Sequence, residues 1–270
     1  MAERTGVLPA YLALLRGQAR SQASYRASFV VDLLGNVGAT VFDVVTVLVL
    51  FRVTGTLGGF DRREAMVMVG ISAAAFAAAD LAVGNIERLR QYVRTGLLDA
   101  VLVRPLSALP QLLLMELPLR KTLRALFGVA VLVVAVATAG IDWTPARAVL
   151  VVAAPLAGVV FFGSIFVATA SLAFWWIDSG EIGAAFTYGG RDFTTYPMTV
   201  YSGWFRTVFT YGLGFGFVAY YPTLALLGRA DPLGLPDWVG WAAPGVALPA
   251  VVVAGLFWRT GVRHYRSTGS

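Results

Sequence analysis

Long apolar runs separated by short polar segments set the pattern of this chain. Six of them approach or exceed the roughly 20 mostly apolar residues that a helix needs to cross a bilayer: residues 29–51, 65–84, 123–141, 148–177, 208–227 and 239–258. They predict six transmembrane helices. The fourth run exceeds what a bilayer requires, so tilt or overrun is expected, and Pro155 near its start predicts a kink. Ahead of the first run, Val7, Leu8, Tyr11, Leu12, Leu14, Leu15 and Ala19 interleave with Arg16, Gln18, Arg20, Gln22 and Arg26. That spacing predicts a helix lying in the headgroup plane. Residues 1–28 are therefore read as a cytoplasmic amphipathic elbow, and 29–270 as one all-α, polytopic transmembrane domain.

Composition agrees with the pattern. The 270 residues are 58% hydrophobic and only 13% charged, with mean hydropathy +0.73, against about 25% charged residues in soluble domains. A water-soluble core of this size cannot hide so much apolar surface. The absence of cysteine excludes disulfides, zinc ribbons and thiolate catalysis, and the single histidine, His264, excludes a histidine-based metal site or a Ser–His–Asp relay. Arg4, Arg16, Arg20 and Arg26 interrupt the first apolar stretch, so no signal peptide is expected.

Charge sets the orientation. With the N-terminus inside, 16 of the 21 basic residues fall on the inner side of the six spans and five outside. The positive-inside rule then places both termini in the cytoplasm. The net charge of +6 is thereby explained without a nucleic-acid partner.

No catalytic motif is present. Lys121-Thr122 is preceded by Arg120, and no glycine lies between Gly96 and Gly128, so there is no phosphate-binding loop. No G-x-S-x-G elbow or H-E-x-x-H helix occurs either. No catalytic residue, metal site or cofactor of its own is expected. Asp178, Glu181, Arg191 and Asp192 are the one acid–base cluster at a membrane face, and an intramembrane lipid-modifying enzyme would have to rest on them. A second alternative, a stand-alone secondary transporter or channel, would favour inverted repeats, and no internal repeat is evident.

The longest polar insertion is residues 85–121. Ile86, Leu89 and Val93 recur at helical spacing, with Glu87, Arg88, Arg90 and Arg94 on the other faces. Gly96 can end that helix. Leu97, Leu98, Val101 and Leu102 offer a second apolar surface, and Pro105, Pro110 and Pro118 punctuate the approach to the third span. Such a long connection is either a helix resting on the membrane or a docking element for a cytosolic motor.

The run Gly96-Leu97-Leu98-Asp99-Ala100-Val101-Leu102-Val103-Arg104-Pro105-Leu106 resembles the G-x-L-D-x-x-L-x-R-P-L segment of ABC-2-type exporter permeases of the bacterial six-span branch. Tyr196-Pro197, Tyr201, the Phe217 to Pro222 stretch and Leu226-Leu227-Gly228 agree with it. The family pattern carries a proline in the fifth span where this chain has Gly212, Gly214 and Gly216. The resemblance implies a permease subunit that moves amphipathic, drug-like or lipidic substrates out of the cytoplasm or inner leaflet. Its implied partners are two copies of a cytosolic ATPase, which binds ATP and Mg, and a second permease, identical or homologous. It makes residues 85–121 the coupling-helix loop, with Glu87, Arg88, Arg90, Arg94, Asp99 and Arg104 contacting the ATPase or bracing the loop. It also makes the Gly212-x-x-x-Gly216 pair a candidate for the permease–permease interface, and residues 228–245 a short outer re-entrant segment.

Three carboxylates fall in or near the first two spans. Asp32 and Asp43 are three turns apart on one face, and Asp80 lies near the end of the second. A carboxylate at the bilayer centre costs about 2.5–3.5 kcal/mol on insertion scales. Such a group either lines a translocation path or is neutralised across a helix interface. Both readings are open for all three.

Overall fold

The computed structural model describes residues 26–105, 107–114 and 119–265. The elbow helix expected before residue 26 lies outside them, as do the side chains of Asp32 and Asp43. Among the described residues the chain is helical, with no strand.

α1 (Arg26–Thr54) runs for 29 residues, about 43 Å at 1.5 Å per residue. α2 (Arg62–Val83) opens with a capping box: Asp61 accepts from the Glu64 amide at 2.8 Å and Glu64 accepts from the Asp61 amide at 2.8 Å. A connector follows, with a 3₁₀ turn (Gly84–Arg88), α3 (Leu89–Arg94), α4 (Leu97–Leu102) and α5 (Ala108–Leu114). α6 (Leu119–Thr138) and α7 (Pro145–Ser171) come next. Thr144 caps α7 by accepting from the Arg147 amide, with Pro145 in its first turn, where the missing N–H costs nothing. Pro155 sits within α7, which continues unbroken to Ser171. α8 (Gly180–Thr195) and α11 (Ala243–His264) bound the last third of the chain.

Four segments are long and apolar enough to cross a membrane: Arg62–Arg94, Lys121–Thr138, Pro145–Phe174 and Ala243–His264. The first is the axis of the bundle, packed against α6, α7 and α8. Its alanine run lets neighbours approach closely. A methyl added at Gly70 would stand 2.6 Å from Leu132 Cα, one at Gly128 2.8 Å from the Ala73 carbonyl, and one at Gly158 2.6 Å from Ala75 Cβ. Helices in lipid associate through such close packing, since lipid gives them no hydrophobic reason to meet.

The expected fifth span, 208–227, is not one helix. After α9 (Gly203–Thr207) come a π turn (Val208–Gly212), a 3₁₀ turn (Phe215–Phe217) and the short α10 (Tyr220–Leu227). The reversal falls at Gly214, whose φ of +83° is open to glycine and strained for other residues.

Packing shows where the segment goes. α8 starts against the connector, with the Arg90 guanidinium on Gly180, and reaches mid-bundle where the Thr194 and Ser72 hydroxyls lie 2.6 Å apart. Thr199 then donates to the Gly58 carbonyl at 2.7 Å, in the loop between α1 and α2. The chain next dips inward, with Phe215 against Phe161, Phe193 and Gly190. It returns to the same end, where Arg229 pairs with Glu64. Residues 203–227 thus form a hairpin that enters and leaves at the loop end, while α8 runs from the connector end towards it. Residues 228–245 contribute a surface 3₁₀ turn (Asp237–Trp241), with Gly240 against Tyr221 and Ala225 of α10.

The cysteine-free sequence makes this testable by single-cysteine labelling in intact membranes. Ser202→Cys and Ala230→Cys are expected to label from the same side as Gly55→Cys, and Asp178→Cys from the opposite side. Labelling of 202 and 230 from opposite sides would show that 203–227 crosses.

Candidate functional site

The connector combines a buried underside with a basic outer surface. Ile86, Leu89, Val93, Leu98 and Val101 are each 4% exposed or less, and they are the positions that the helical spacing selects for the inner face. Gly96 ends α3 at φ +71°, turning the chain so that α4 presents Leu98 and Val101 to the same core. Arg88, Arg90, Arg94 and Arg104 are exposed. Leu97 and Val103 are exposed beside them, at 55% and 85%.

The six residues assigned to this loop divide into two groups. Glu87 and Asp99 face inward. Tyr188 of α8 donates its hydroxyl to Glu87 Oε2 at 3.1 Å. Asp99 faces the buried hydroxyl of Tyr265, just past the end of α11, and burial, with Asp99 second, holds that phenol above its ordinary pKa. Arg90 packs its guanidinium on Gly180, where a side chain would collide with it. Arg94 and Arg104 pair with no carboxylate among the described residues. A cavity of about 240 Å³ lies where the connector meets α7 and α8, lined by Glu87, Arg90, Ser179, Glu181 and Tyr188 among others.

Asp80 lies at the root of the connector, 2% exposed. Lys121 donates to its Oδ1 at 2.6 Å and Arg124 to its Oδ2 at 3.4 Å. A methyl on Gly84 would collide with Asp80 and Lys121. Of the two readings open for Asp80, this geometry matches neutralisation across a helix interface, here between α2 and α6. The guanidinium of Arg124 lies 5.3 Å from the centre of the Phe76 ring, and that of Arg191, from α8, 5.7 Å from it. Lys121, the chain's one lysine, carried no assigned role in the sequence. Its partner is 41 residues away, and no motif or periodicity links the two.

Gly212 and Gly216 do not share a helix face. Gly212 ends the π turn, where an added methyl would touch only Val208 of the same turn, and Gly216 sits in the 3₁₀ turn against Thr210 and Tyr221. Among the described residues, Gly70, Gly128 and Gly158 permit close contact between α2, α6 and α7. Of the acid–base cluster near α8, Arg191 pairs with its neighbour Asp192 at 3.2 Å, while Glu181 lines the cavity beside Glu87, Arg90 and Tyr188.

Removing one partner of a buried ion pair leaves the other charge unsolvated, at a cost of about 3–5 kcal/mol. Asp80→Ala is therefore expected to lower the melting temperature in detergent sharply, and Asp80→Ala combined with Lys121→Met to recover part of the loss. A melting temperature unchanged by Asp80→Ala would show that the pair contributes nothing.

The family model described as "ABC-2 family transporter protein" matches residues 37–269. No curated protein and no solved structure matches the chain. The match takes in the whole described connector, the Asp80 cluster and the hairpin. On that coverage, the chain belongs to the ABC-2 transporter family, whose members are membrane-embedded transport subunits and not catalytic enzymes.

Proposed function

We propose that this protein is the permease subunit of an ATP-binding-cassette exporter, driven by two copies of a separate cytosolic ATPase. ABC-2 permeases generally work with such a partner. The observation that carries the reading is the connector, whose apolar underside is locked into the bundle while Arg94 and Arg104 stand exposed beside Leu97 and Val103. A surface of that kind fits a groove on a soluble partner. Its brace to α8 through the Glu87–Tyr188 hydrogen bond gives a push on the connector a route into the transmembrane helices.

In this reading the chain crosses the bilayer six times, with α1 and α8 joining the four long apolar spans. The connector end and both termini face the cytoplasm of a cell bounded by a bacterial-type inner membrane. The substrates are amphipathic or lipidic, and a second permease, identical or homologous, completes the pathway. ATP and Mg bind to the partner, and this chain positions and releases substrate. Where α8 is the fifth crossing, Arg206 moves to the outer side and Arg191 into a span. The basic excess still favours the connector side, because the connector's arginines and Arg259, Arg263 and Arg266 at the C-terminal end are unaffected.

Purification of the tagged protein in mild detergent is expected to bring down a cytosolic ATPase in stoichiometric amount. Arg94→Glu with Arg104→Glu is expected to abolish substrate-stimulated ATP hydrolysis while leaving the protein monodisperse. Purification without any ATPase, together with solute flux in liposomes containing this chain alone, would favour the stand-alone transporter instead. Stimulated hydrolysis that survives the double reversal would remove the connector from the coupling route.

A further inference from the structure

The loop end holds a cleft that the transport reading leaves unused. It is a cavity of about 280 Å³ between the first turn of α7, the end of α10 and the 3₁₀ turn Asp237–Trp241. Two of its charged groups are already satisfied. Arg229 pairs with Glu64 and donates to the Gly59 carbonyl at 2.6 Å. Asp231 accepts from the Tyr220 hydroxyl at 2.8 Å and from the amides of Leu233 and Leu235 at 3.0 and 3.2 Å.

Two others, Arg147 and Asp237, have no ionic partner among the described residues. Arg147 donates from Nε to the Ala225 carbonyl at 3.1 Å and from Nη1 to the Asp142 carbonyl at 2.7 Å. Those dipoles hold the guanidinium in place without cancelling its charge, and most of its five N–H groups remain unspent. Gly228 leaves room for its Nη2, where any side chain would collide. Asp237 is exposed in the same cleft, and Trp241 adds an indole from the same turn.

The depth of the cleft narrows the ligand. Arg147 belongs to the first turn of the span Pro145–Phe174, and Trp241 lies two residues before the span Ala243–His264. Trp143, Trp238 and Trp241 are all exposed at this end, and indoles concentrate at the headgroup layer. A ligand at this depth is part of the bilayer. A purely anionic headgroup would face Asp237, and a purely cationic one would face Arg147. We propose that the cleft binds a zwitterionic phospholipid headgroup, a phosphodiester bearing a primary ammonium, with the phosphate on Arg147 and the ammonium on Asp237.

Native mass spectrometry of the detergent-purified full chain, offered equimolar phosphatidylethanolamine and phosphatidylglycerol, tests this independently of any ATPase partner. The wild type is expected to retain phosphatidylethanolamine about tenfold better, the scale of one charge-assisted hydrogen bond. Asp237→Asn, at an exposed residue with no described partner, is expected to bring the two lipids to parity with the melting temperature unchanged. Arg147→Gln is expected to weaken retention of both. Parity in the wild type, or a preference that survives Asp237→Asn, overturns the proposal whether or not Arg147→Gln folds. Displacement of the lipid by equimolar glycerophosphoethanolamine overturns the assignment to a bilayer lipid in favour of a soluble ligand of the same chemistry.

Discussion

Close contact along α2 is the constraint on which the rest of this fold depends. In lipid no hydrophobic force draws helices together, so a bundle needs surfaces that fit closely or polar groups that must be paired. α2 supplies both. Gly70 and the alanines from Ala73 to Ala79 admit α6 and α7 at backbone distance, with Gly128 and Gly158 as their counterparts. At the next residue, Asp80 demands a cation, and α6 delivers Lys121 and Arg124. Shape fixes how near the helices come, and charge fixes which residues face each other at the connector root.

Much of this was legible in the sequence, for physical reasons that also explain what was missed. Hydropathy located the four long apolar spans because each is a continuous greasy run. It failed between residues 178 and 227 because hydropathy records apolarity and not direction. α8 carries Glu181, Arg191 and Asp192 and reads as a polar loop, although its Tyr188 and Thr194 reach into the bundle. The hairpin reads as a span because Phe205, Phe209, Phe215 and Phe217 are apolar, and only the φ at Gly214 reveals the reversal. Gly212 and Gly216 matched a spacing motif, whereas Gly70, Gly128 and Gly158 lie on three different helices, where no local motif can find them.

The connector was read more successfully, since a helix with one apolar face announces its own underside. Ile86, Leu89 and Val93 are buried as the spacing requires. The division of labour among its charged residues was not legible. Nothing in the spacing marks Glu87 for the inside and Arg94 and Arg104 for the outside, because the hydroxyl that Glu87 accepts from belongs to Tyr188, about 100 residues further on.

The hairpin has a consequence for how the protein is made. A segment that enters and leaves at one end is never threaded across the bilayer as a helix of its own. With α8 and α11 as the crossings proposed above, residues 203–227 are carried whole to the far side and then fold back into a slot walled by Phe161 and Gly190. Insertion and folding are separate events for these residues. A defect at Gly214 or Phe215 would leave a chain correctly threaded through the membrane and yet hollow at its centre, recognisable to quality-control proteases by its looseness and not by its topology.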